Sequence, residues 1–128
     1  ILKEQFGIRF IDLINGKKET KEILNLPNLF TTQINMYEII RGFYLRKISS
    51  NKFLQIMELF ESIRVLPLND QGILKSAEIS AKLIENGKII DDADCLTAGI
   101  ALSHNIKTIV TKNKKHFSRI KDIKVQTY

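Results

Sequence analysis

Three aspartates, Asp91, Asp92 and Asp94, stand within four residues, directly before the small-residue apolar run 95–102. Carboxylates at a helix start are favoured by the macrodipole and by capping, but one is enough for a cap. Three repel one another, and a bound cation relieves that repulsion most simply. Magnesium takes oxygen ligands, commonly one or two carboxylates completed by water and phosphate oxygens. Such an ion polarises a phosphodiester and generates hydroxide from bound water. Four polar positions are candidates to meet around it: Glu38, Asp92, Asp94 and Asn113. Asp91 reads as an N-cap or a solvated residue. His116 reads as a surface or packing histidine rather than a base.

These residues need elements to hold them. Segment 29–32 is short and apolar enough for a buried strand. The spacing of Ile34, Tyr37, Ile40 and Phe43 predicts a helix over 33–46 with Glu38 among its apolar positions. Further helices are expected over 51–63 and from an Asn69-Asp70 cap to Glu85, where Asn86-Gly87 stops the run. Segments 64–68 and 107–111 read as strands, and 114–117 as a turn of helix. A last edge strand falls around Ile123 and Val125. Residues 1–5 make a poor first strand, followed by helical spacing over 8–13 and a short charged helix over 17–24. Strands alternating with helices argue for a mainly parallel sheet with helices on both faces, a three-layer α/β/α domain. Ligands of such sheets gather beyond the carboxyl ends of the strands, which is where Glu38 and Asn113 fall.

Composition narrows the function. With 128 residues, one domain spanning 1–128 is expected. Lys and Arg number 20 against 14 acids, a net charge of +6, which favours a polyanionic partner. The single cysteine, Cys95, excludes an internal disulfide and fits a reducing compartment, so a cytoplasmic protein is expected. Histidine and cysteine are too few for a zinc site. No apolar run approaches the ~20 residues of a membrane span.

Thr31-Thr32 followed by Ile34, Glu38 and Arg41-Gly42 resembles the second acidic motif of PIN-domain proteins. Asp92-Ala93-Asp94-Cys95-Leu96-Thr97-Ala98 resembles their third. Thr108-Ile109-Val110-Thr111-Lys112-Asn113 and His116-Phe117 resemble the closing strand and loop. The likeness runs from about Phe10 to Tyr128 and is strongest to the VapC toxins of toxin–antitoxin pairs. It implies a Mg²⁺- or Mn²⁺-dependent endoribonuclease, neutralised by a VapB-type antitoxin and often a homodimer. It implies metal ligation by Asp94, Asp92 and Glu38, with Thr111 and Asn113 in support. RNA phosphates would meet Lys112, Lys114, Lys115 and Arg119. Phe43, Tyr44 and Phe53 are candidates for a partner groove.

The first strand departs from this pattern. The family ends that strand with an aspartate, six residues before the position matched by Asp12. Counting back gives Phe6, followed by Gly7. Glu4, two residues earlier on the same strand face, is the nearest substitute. The alternative reading is therefore a PIN-fold protein of weak or lost activity that binds RNA or an antitoxin. A phosphate-binding signalling domain is a third reading, and the lack of a Gly-rich phosphate loop argues against it.

Overall fold

The computed structural model describes residues 4–7, 29–111 and 114–126, the first stretch by its backbone. The helices expected over 8–13 and 17–24, Asp12, Lys112, Asn113 and the side chains of Glu4 and Phe6 lie outside the described residues.

Five strands form one sheet: β1 (Glu4–Gly7), β2 (Leu29–Thr32), β3 (Arg64–Leu66), β4 (Thr108–Thr111) and β5 (Lys124–Gln126). Their order is β3-β2-β1-β4-β5, and every pairing is parallel. The first strand is thus longer on its carboxyl side than the sequence suggests, and it is the central one. Polar residues such as Glu4 and Gln5 hide a central strand from any reading based on apolar runs.

Helices α1 (Gln33–Arg46), α2 (Ser50–Ser62), α3 (Asp70–Glu85), α4 (Asp92–Ser103) and α5 (Lys114–Phe117) complete the described elements. Their ends follow capping chemistry. Thr32 Oγ1 accepts from Asn35 N at 3.2 Å to start α1, and Asn69 Oδ1 accepts from Gly72 N at 2.9 Å to start α3. Beyond α3, Gly87 takes a φ of 68°, a left-handed conformation that glycine adopts without steric cost.

Alternation along the strands sorts the core into layers. Val110 packs with Leu29, Phe43, Ile56, Phe60 and Ile63, the side covered by α1 and α2. Its neighbour Ile109 packs with Ile79, Leu83, Cys95, Ala98 and Phe117, the side covered by α3, α4 and α5. Successive strand residues point to opposite faces, so this split is the three-layer α/β/α arrangement that the sequence predicts. A third cluster of Leu66, Ile100, Ala101 and Ile106 seals the sheet beside β3.

The layer of α3 and α4 is held unusually close. A Cβ placed on Gly99 would lie 2.6 Å from the backbone nitrogen of Ser76 and 2.8 Å from its Cα. Glycine is therefore required by the approach of α3, not by backbone conformation. The Ser76 hydroxyl is buried and donates to Gly72 O at 2.6 Å.

Candidate metal centre and active site

The strand order reverses between β1 and β4, since the chain builds outward to β3 before placing β4 and β5 on the other flank. Crevices form beyond the carboxyl ends of strands at such a switch. α1 begins directly after β2 and carries Glu38 one turn in. α5 follows β4 and carries His116. α4 brings its first turn to the same place, because Asp94 Oδ2 lies 2.6 Å from His116 Nδ1.

Ligand atoms of Asp91, Asp94 and His116 all lie within 4.8 Å of one another. Asp91 occupies the N-cap position of α4, yet its side chain makes no capping hydrogen bond. Its backbone carbonyl accepts from Asp94 N and Cys95 N, each at 3.1 Å. The carboxylate is thus turned to the cluster rather than to the helix. Glu38 stands close enough to feel it. Its carboxyl is held above the ordinary value, first by burial, then by the Asp94 charge, with Arg41 opposing and Asp91 adding. The α4 dipole offsets part of this crowding.

Such a donor set fits a divalent cation. Carboxylate oxygens crowd together, and an ion would reverse the repulsion that raises Glu38. Carboxylate-rich chemistry suits Mg²⁺ or Mn²⁺.

Buried hydrogen bonds tie the helices that carry these acids. Thr31, Thr32 and Thr97 are nearly inaccessible to solvent. Asn35 Nδ2 donates to Thr31 Oγ1 at 3.4 Å, and Thr97 Oγ1 donates to Asn35 Oδ1 at 3.5 Å. This chain joins β2 and the first turn of α1 to α4, one turn past Asp94. It links the helix that carries Glu38 to the helix that carries Asp94.

The expected residues divide accordingly. Asp94 is in the cluster and Glu38 is in electrostatic contact with it. Asp92, exposed, is not one of the three clustered groups. Its charge bears instead on Cys95, whose thiol burial, foremost, pushes up, with Ser80 opposing and Asp92, Asp94 and Asp91 adding. Thr111 is buried at the carboxyl end of β4. Lys114 and Lys115 are exposed beside the cluster. Arg119 is engaged with the fold, donating from Nη1 to Ile89 O at 2.8 Å. Arg41 stacks over the Tyr37 ring, 5.2 Å from its centroid. Of the expected groove residues, Phe43 is core, Phe53 is half-buried against it at 5.9 Å between ring centroids, and Tyr44 is exposed.

Asp91 and His116 are the members of this cluster that the sequence reading did not place among the candidate ligands. Helical spacing held the signal for the first: positions 91 and 94 share a face, whereas 92 points away from it. His116 enters the sequence reading only through the closing-loop resemblance, and its partner lies 22 positions earlier in the chain.

The PIN domain family model matches residues 8–123. The chain belongs to the PIN domain family. Ribonuclease VapC1 of Methanocaldococcus jannaschii is 33% identical over 86 residues, covering 66% of this chain and 62% of that protein. A VapC ribonuclease of Pyrococcus furiosus is 28% identical over 100 residues, 78% of this chain and 64% of the relative. The matched stretches thus span less than two thirds of either relative. Among solved structures, the PIN fold is shared with a chain of the DNA-bound VapBC complex of Salmonella typhimurium, at a TM-score of 0.85 and 22% identity, covering 99% of this chain and 98% of the other. VapBC-1 of nontypeable Haemophilus influenzae is similar at a TM-score of 0.81 and 26% identity, covering 99% and 98%. Among the described residues of this PIN protein, no helix is long and apolar enough to cross a membrane.

Proposed function

We propose that this PIN protein is a VapC-type toxin, a divalent-metal-dependent endoribonuclease of the cytoplasm neutralised by a VapB-type antitoxin. The observation that carries the reading is the convergence of Asp91, Asp94 and His116, with Glu38 in electrostatic reach, at the switch point of a PIN fold. Asp94, Asp91 and Glu38 would hold a Mg²⁺ or Mn²⁺ ion, with Asn113 adding polarity. The ion supplies an activated water and polarises the phosphodiester. The chain's own part is to hold these carboxylates in place, through the α4 start and the Thr31–Asn35–Thr97 bonds, and to attract phosphates through Lys112, Lys114 and Lys115. Exposed Tyr37, Tyr44, Leu45 and Leu54 on α1 and α2 offer an apolar face for the antitoxin, and a homodimer is the expected assembly.

RNA cleavage in Mn²⁺ is the test, with Asp94→Asn as the control. Cleavage that needs the metal and disappears in Asp94→Asn supports the proposal. Cleavage indifferent to chelator removes it.

One observation favours the second reading, a PIN protein of low activity that retains RNA or antitoxin affinity. β1 ends between β2 and β4 with Phe6 and Gly7, so no acid stands on that strand's carboxyl end. A missing charged ligand costs several kcal/mol of transition-state stabilisation, and each ~1.4 kcal/mol is tenfold in rate. Phe6→Asp is therefore expected to raise cleavage at least tenfold. An unchanged rate in Phe6→Asp would detach this strand from the site.

A further inference from the structure

His116 meets Asp94 at 2.6 Å, Nδ1 to Oδ2. Two donors bound side by side to one octahedral ion at about 2.1 Å stand about 3 Å apart. The observed separation is shorter, and matches a hydrogen bond to a carboxylate. With hydrogen on Nδ1, the ring donates and the carboxylate accepts.

The segment that follows the ring is anchored. Phe117, the next residue, is buried among Ile79, Leu83 and Ile109. Arg119 reaches Ile89 O, two residues before Asp91, at 2.8 Å. Ile90 and Ile120 are buried in the same cluster. The segment carrying the imidazole and the segment carrying the acids are therefore fastened to each other independently of the His116–Asp94 contact.

We infer that His116 is a positioning residue for the proposed metal centre: its Nδ1–H holds Asp94 Oδ2 and presents the other carboxylate oxygen to the ion. The imidazole stays outside the coordination sphere. The inference rests on the metal reading above. Groups that hydrogen-bond to a metal-binding side chain typically carry 10–100-fold in affinity.

Mn²⁺ binding to the full chain, by calorimetry and pulsed EPR, tests it in the unsubstituted protein, His116→Ala and His116→Asn. Melting curves establish that each is folded. His116→Ala is expected to weaken Mn²⁺ binding 10–100-fold. His116→Asn, whose Nδ2 can donate from nearly the position of Nδ1, recovers most of the loss. The unsubstituted protein shows no nitrogen coupling to Mn²⁺ that His116→Ala abolishes. Such a coupling would make His116 a ligand and overturn the inference. So would equal affinity in His116→Ala, or a folded His116→Asn as weak as His116→Ala. If the unsubstituted chain binds no Mn²⁺, the metal reading itself falls, and the inference with it.

Discussion

Asp91 and Asp92 are adjacent in sequence and stand about 100° apart around α4. That rotation decides which of them meets Asp94. Asp91→Asn is expected to lower Mn²⁺ affinity about tenfold or more, the cost of a charged ligand, and Asp92→Asn to leave it within about twofold. The reverse ranking in a calorimetric titration would return Asp92 to the site. The nearness of Asp94 and Glu38, expected from their residue type and order, is present in the fold. The motif likeness points to Asp92, whereas the geometric cluster holds Asp91, a neighbour that helical periodicity places on the face of Asp94. The contact of His116 with Asp94 was not legible, because it joins α4 and α5 across 22 positions of sequence. Glu38 gives a pH test. Its carboxyl is raised above 4.5 by burial first, then by Asp94 and Asp91 against Arg41. The folded state thus binds this proton more tightly than the unfolded state does. Its stabilising contribution is present at acid pH, and is lost as pH rises through the raised folded value. In EDTA, Glu38→Gln should therefore melt higher than the parent at pH 7, with the difference fading toward pH 4. A lower melting temperature at pH 7 would show that the Glu38 charge stabilises the metal-free fold.

At the scale of elements, helix limits follow rules that act locally. The α1 range, Gln33–Arg46, matches the one expected from apolar spacing, and α2 and α3 fall within a residue of theirs. Caps explain this: Thr32, Ser49 and Asn69 each accept from a backbone amide in the first turn. How helices pack is a separate matter. Gly99 reads in sequence as one more small residue in an apolar helix, yet it is where α3 and α4 nearly touch. Gly99→Ala should destabilise by roughly 1–3 kcal/mol, because the clash includes backbone that cannot rotate away. Ser76→Ala should relieve little of it, since the Ser76 nitrogen and Cα remain. Denaturant unfolding of the single and double variants checks this, and full rescue by Ser76→Ala would reduce the contact to the hydroxyl alone.

The whole molecule joins an acidic centre to a basic chain of net charge +6. Under the proposed function, acids would hold the ion while exposed lysines draw in the polyanion; Asp94 and Glu38 are partly sheltered and Asp91 is exposed. For single-stranded RNA, log affinity falls with log salt by roughly 0.7 per phosphate neutralised. Replacing both Lys114 and Lys115 with Gln should flatten that slope by about one to two units, and an unaltered slope would move the RNA surface elsewhere. Arg119, engaged by Ile89 O, is expected to act on stability more than on this slope. The parallel sheet and its layers were legible from the alternation of strand and helix. The central place of β1 was not, since strand order depends on long-range pairing.

Glu4 of β1 lies opposite Leu29 on one side and Thr108 on the other. During synthesis the strand waits for most of the chain before its second neighbour exists, with one edge of N–H and C=O groups unpaired meanwhile. His116 emerges later still. Under the proposed function, the carboxylates are therefore made before the strand and helix that complete their surroundings. Ribosome-arrested chains ending before Thr108 should be readily proteolysed and inert toward RNA, and cleavage by such chains would show that the centre forms without β4 and α5. The topology completes its sheet late: β1 gains its second neighbour only after most of the chain has been made.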